Sequence, residues 1–83
     1  MSTEPTAEEA ARHLLDIFRS HKMRAGEMLI REPARTEFIL DRRWRTKDFY
    51  VGLQYACQHH WIVTPGPNVI RLTETGSVLL QVA

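Results

Sequence analysis

The sequence predicts a small α+β domain built from three helices, a β-hairpin and a short C-terminal helix. Three observations carry that prediction. Apolar residues recur at helical spacing in two separate segments, Ala7 to Phe18 and Phe49 to His60. The period then changes, because "WIVTPGPNVIRLT" sets two runs rich in Ile, Val and Thr on either side of prolines and a glycine. Finally, 83 residues suffice for one buried core and are too few for two.

"MSTEP", residues 1–5, is polar, ends in proline and reads as a flexible tail, which leaves residues 6–83 as the single domain. "TAEE" has the capping-box form, with Thr6 accepting from a first-turn amide and Glu9 reaching back to the Thr6 amide. Ala7, Ala10, Ala11, Leu14, Leu15, Ile17 and Phe18 follow as the apolar stripe of a first helix that runs to about Ser20. "HKMRAGEMLI" breaks that pattern and contains Gly26, so it reads as a connection with a very short extended stretch near Met23 to Ala25.

Pro33 suits the first position of a second helix, about Pro33 to Asp41, with Phe38 and Ile39 or Leu40 on its buried side. "RRWR" is then a turn anchored by Trp44. Thr46 reads as the N-cap of a third helix, with Asp48 in the first turn where negative charge suits the dipole. Phe49, Leu53, Ala56, Cys57 and His60 fall on one side of that helix and are expected to face the core. Lys47, Val51, Gln54 and Gln58 fall opposite, flanked by Tyr50 and Tyr55. "PGPN" makes the hairpin tip, Thr73 caps a closing helix, and Val78, Leu79 and Leu80 supply its apolar contacts.

The composition, 43% hydrophobic and 25% charged, is that of an ordinary globular chain. A single cysteine, Cys57, cannot form an internal disulfide and fits a reducing compartment. No apolar run approaches the roughly 18 to 20 residues of a membrane helix, and the N-terminus lacks the basic start and apolar stretch of a secretion signal; a cytoplasmic protein is expected. The formal charge of +1 hides an asymmetry: residues 1–41 are net −2 and residues 42–83 net +3. A local basic face is therefore compatible with a near-neutral total.

Helix, link, short helix, turn, longer amphipathic helix and proline-glycine hairpin: this order resembles the winged helix-turn-helix domain. "DFYVGLQYACQHHWIV" looks like that family's third helix entering its second strand. "VIRLTETG" is similar to the ending after the wing in MarR-like and PadR-like regulators. The chain departs from the family in its long Gly26 to Arg45 stretch and in a wing, "TPGPNV", that holds no Lys or Arg before Arg71. It also lacks the long terminal helix by which many such regulators dimerise, so a monomer or weak homodimer is expected.

The resemblance implies a double-stranded DNA-binding domain, acting as a transcriptional regulator, with the third helix as the recognition element. Gln54 and Gln58 have the chemistry to pair with adenine edges, Lys47 with guanine, and Tyr50 or Val51 to touch a thymine methyl. Arg42, Arg43, Arg45 and Thr46 lie at the turn and helix start, from which such domains reach phosphates. Asn68 and Arg71 complete the candidate DNA-contacting set from the wing. The alternative is a winged-helix protein-interaction module, favoured by the near-neutral charge, the uncharged wing tip and the outward tyrosines. The arginines would then be a solvated corner with their stems over Trp44.

Other chemistries find little support in the residues. Cys57, His59 and His60 are of metal-ligand type, but their spacing puts Cys57 and His60 on the core side and His59 elsewhere, and no second cluster completes a shell. No phosphate-binding glycine loop or nucleophile elbow occurs, so neither an enzyme nor a cofactor is expected. Arg19, Lys22 and Arg24 are explained by the helix dipole at the end of the first helix.

Overall fold

Helix α1 spans Ala7–Ser20 in the computed structural model, which describes residues 4–82 of the chain. The tail residues Met1, Ser2 and Thr3 lie outside the described residues. The capping box forms as the sequence predicts: Glu9 N donates to Thr6 Oγ1 at 3.1 Å and Thr6 N donates to Glu9 Oε1 at 2.9 Å. Ala10, Ala11, Leu14, Leu15, Ile17 and Phe18 are all buried, and this stripe is the floor of the core.

The chain then passes through a turn, with Lys22 at φ 56° and Gly26 at φ 91°, into strand β1, Met28–Ile30. Here the structure corrects the sequence reading, which sets the extended stretch at Met23 to Ala25. β1 is specified by a distant partner: it pairs antiparallel with β3, Val69–Leu72, in the register Met28↔Arg71, Leu29↔Ile70, Ile30↔Val69. A three-residue strand of this kind leaves almost no local signature.

Helix α2 spans Arg31–Phe38, not Pro33 to Asp41, so Pro33 is its third residue and the segment after Phe38 is loop. Proline is tolerated at that depth because the first-turn amides have no intrahelical acceptor. Ala34 and Phe38 are its buried side chains; Ile39 and Leu40, expected on that side, are exposed.

Helix α3 spans Thr46–Gln58, with Arg45 rather than Thr46 at the N-cap. The cap interaction comes from Asp48, whose Oδ2 accepts from Arg45 N at 2.9 Å. Phe49, Gly52, Leu53 and Ala56 are buried, Cys57 is half-buried, and His60, expected in the core, is exposed. The reason is backbone direction: α3 ends at Gln58, and His60 adopts a left-handed conformation, φ 61°, that turns the chain and delivers Trp61 to the core instead. Tyr55, expected outside, is half-buried and packs its ring edge-on against Trp61 at 5.4 Å.

Strands β2, Ile62–Gly66, and β3 form the hairpin, with Pro67 and Asn68 at the tip and a register irregularity between Val63 and Gly66. Pro65 and Gly66, read from sequence as part of the tip, belong to β2. The sheet order is β1-β3-β2, and Ile62, Ile70 and Leu72 point from it into the core shared with α1 and α3.

Helix α4, Glu74–Val82, closes the domain. Gly76 lies inside it because any Cβ there would overlap the Trp61 carbonyl. Leu79 and Leu80 pack on the core as expected, whereas Val78 is exposed. Thr73 Oγ1 accepts from Gly76 N at 3.1 Å and lies within hydrogen-bond reach of the His60 and Trp61 carbonyls, so one hydroxyl ties the start of α4 to the end of α3. Replacing it by alanine is expected to cost about 1–2 kcal/mol, read as a lower urea midpoint at unchanged slope.

Candidate nucleic-acid interface

The outward side of α3 is formed by Lys47, Tyr50, Val51, Gln54 and Gln58, all exposed as the helical spacing predicts. What holds this face in position is the opposite side of the same helix. Gly52 presses directly on the α1 backbone: a Cβ there would stand 2.6 Å from Ala10 C and 2.9 Å from Ala11 N. Val51, Gln54, Tyr55 and Gln58 line a shallow cavity with Ala7, so the face borders the start of α1.

Seven residues ahead of α3 make the loop that carries the arginines, 39–45. Its anchor is Trp44, which stacks on His13 with ring centroids 4.5 Å apart and meets Phe38 edge-on at 5.3 Å. His13 Nε2 is also hydrogen-bonded to the Phe38 carbonyl at 3.0 Å, so α1, the end of α2 and the turn are locked together. Arg42, Arg43 and Arg45 project from this anchored loop, all exposed.

Two of the cations have partners. Arg43 pairs with Asp41 at 3.0 Å, and its hydrogen bonds hold the Asp41 carboxyl below the usual carboxylate range. Lys47 pairs with Glu4 at 3.2 Å, so the described part of the tail reaches back over the turn. Among the described residues, Arg42 and Arg45 have no ion pair. Glu4, Arg42, Arg45 and Lys47 line one open cavity of about 280 Å³. Both ion pairs are well exposed, a class worth only about 0–1 kcal/mol, so an incoming phosphate can replace either carboxylate.

The fold adds two arginines that the sequence reading does not assign. Arg35 of α2 donates to Tyr50 Oη at 3.3 Å, and the Arg31 guanidinium lies 5.9 Å from the centre of the Tyr50 ring. Their spacing of four residues on one helix is the signal that marks a shared face, but it emerges only once α2 is known to begin at Arg31 rather than Pro33. Arg35 is also paired with Glu32 at 2.8 Å.

The hairpin residues divide. The Asn68 carbonyl accepts from Arg31 N at 2.7 Å, which brings the hairpin tip against the start of α2. Arg71 lies elsewhere: it stands on the solvent face of the sheet and lines a cleft with Ala25, Gly26, Val63, Thr73 and Glu74, none of which belongs to α3.

Cys57 is partly buried, and that burial pushes its thiol above the ordinary value, which keeps it protonated at neutral pH. Among the described residues, no group of three His, Cys, Asp or Glu side chains is placed to hold a metal ion, and no helix is long and apolar enough to cross a membrane. Comparison with protein-family models, with curated proteins and with solved structures finds no match for this chain.

Proposed function

We propose that the chain is a winged helix-turn-helix domain that binds double-stranded DNA, with α3 in the major groove and the hairpin as its wing. The order α1-β1-α2-α3-β2-β3, with β1 joining the hairpin sheet, supports the fold reading. The observation that carries the function is the setting of the α3 outward face. Arg31 and Arg35 flank it at Tyr50, while Arg42, Arg43, Arg45 and Lys47 border its N-terminus. A polar helix face with cations on two sides matches a duplex, whose phosphates border the groove on both strands.

In this reading the arginines and Thr46 hold the backbone, and Gln54, Gln58, Tyr50 and Val51 meet base edges. Asn68 approaches the backbone beside Arg31, and Arg71 takes no part. Titration against a random duplex at about 50 and 200 mM salt tests the proposal. Binding that weakens steeply between the two is the expected result, and absence of binding at the lower salt refutes it. Gln54→Ala with Gln58→Ala is expected to leave that non-specific binding intact and to reduce the preference for a selected site.

The second reading, a protein-interaction module, has its own support in a different part of the molecule, the aliphatic solvent face of the sheet.

A further inference from the structure

We infer that the solvent face of the sheet docks an amphipathic helix of a partner protein, one whose apolar stripe carries a carboxylate that pairs with Arg71. The inference is independent of DNA binding and uses no residue of α3.

Side chains alternate across a sheet, and here the two faces differ in the expected way. Leu29, Ile62, Ile70 and Leu72 turn inward to the core. The register sets the others in two rows on the outer face, Met28–Arg71–Val63 and Ile30–Val69–Gly66, each running across all three strands. Met28 is 51% exposed, Ile30 60% and Val63 40%, so the rows form an aliphatic patch around one cation. Nothing in the core requires these side chains to be apolar, and a contiguous exposed patch of this kind marks an interaction surface.

Dimensions and charge select the occupant. Three strands at the usual spacing make a face about 10 Å across, the width of one α-helix. The inner face of the same sheet is already covered by helices, so a helix on the outer face completes a helix–sheet–helix sandwich. Arg71 sits on the central strand, in the middle of the row Met28–Arg71–Val63 at the cleft end of the patch, and among the described residues has no ion pair; Glu74 lines the adjoining cleft but stands beyond ion-pair distance. A helix with an unbroken apolar stripe would bury that guanidinium without a partner, whereas a carboxylate in the stripe satisfies it. A second copy of this chain is disfavoured for the same reason. A face-to-face pairing centred on the Met28–Arg71–Val63 row brings two Arg71 side chains together in a desolvated interface.

Two synthetic 18-residue helical peptides test this with the whole chain. One carries leucines at alternating spacings of three and four with a glutamate midway along the stripe; the other has lysine in the glutamate's place. In amide NMR titrations the glutamate peptide is expected to shift Met28, Ile30, Val63, Val69 and Arg71 and to bind at least tenfold more tightly than the lysine peptide. Arg71→Glu is expected to reverse that ranking while leaving the thermal midpoint and duplex binding unchanged, because the side chain is exposed and unpaired. Ile30→Lys, an exposed position, is expected to abolish binding of both peptides. Equal affinities, shifts confined to other surfaces, or no response to Arg71→Glu would overturn the inference. So would concentration-dependent dimerisation removed by Ile30→Lys, which makes a second copy the occupant, or loss of duplex affinity in Arg71→Glu, which assigns the sheet to nucleic acid.

Discussion

Gly52→Ala is expected to destabilise the domain by about 3 kcal/mol, at the upper end of what overpacking costs. Helix propensity alone predicts the opposite, since alanine in a helix interior is favoured over glycine by up to about 1 kcal/mol. The tertiary contact decides the sign. A Cβ at position 52 would stand 2.6 and 2.7 Å from the Ala10 carbonyl carbon and oxygen, and these are backbone atoms that no rotamer change can move aside. Relief therefore requires α1 and α3 to separate, and that separation loosens Leu14, Phe18, Phe49 and Leu53 together, all of them core residues. For a domain of this size the loss corresponds to a fall in thermal midpoint of about 12–24 °C. Thermal or urea denaturation followed by circular dichroism reads it, and an unchanged midpoint would mean that the two helices do not meet backbone to backbone. The same contact sets the direction in which Tyr50, Gln54 and Gln58 face, so under the proposed reading duplex binding is expected to weaken as well.

Arg42→Glu combined with Arg45→Glu is expected to weaken binding to a random duplex by roughly 60-fold at about 0.1 M salt. The estimate follows from counterion release, in which each phosphate contact is worth roughly eightfold at that salt, and reversal of charge removes two contacts. The slope of log affinity against log salt is expected to fall by about two at the same time, which separates lost phosphate contacts from a misfolded protein. Stability should be nearly untouched, since both side chains are exposed and unpaired among the described residues. Glu4→Gln is expected to move affinity the other way, by a few-fold, because it frees Lys47 from its exposed ion pair. If the double reversal binds duplex as well as the parent, the loop takes no part in binding.

The local signals were strong wherever a segment carried its own period or cap. The capping box at Thr6 and Glu9, the buried stripe of α1, the outward face of α3 and the hairpin of β2 and β3 all follow from residues close together in the chain. The weak points share a physical cause, dependence on contacts far away in sequence. β1 exists because Met28, Leu29 and Ile30 find β3 some 40 residues later. The start of α2 is set where that strand ends, and the error of two residues hid Arg31 from the candidate site. His60 leaves its expected core position because a left-handed residue, not the helical wheel, governs the chain after Gln58.

By itself, then, the amino-acid sequence determined the class of each helix and of the hairpin, the anchored basic turn and the polar outward face of α3, because propensity, capping and periodicity act over a few residues. Only the tertiary structure decided which cations gather around that face, that Arg71 stands among aliphatic side chains on the far side of the sheet, and why Gly52 and Gly76 are glycines. Those facts depend on backbone approach and strand register, which arise when distant segments pack against one another.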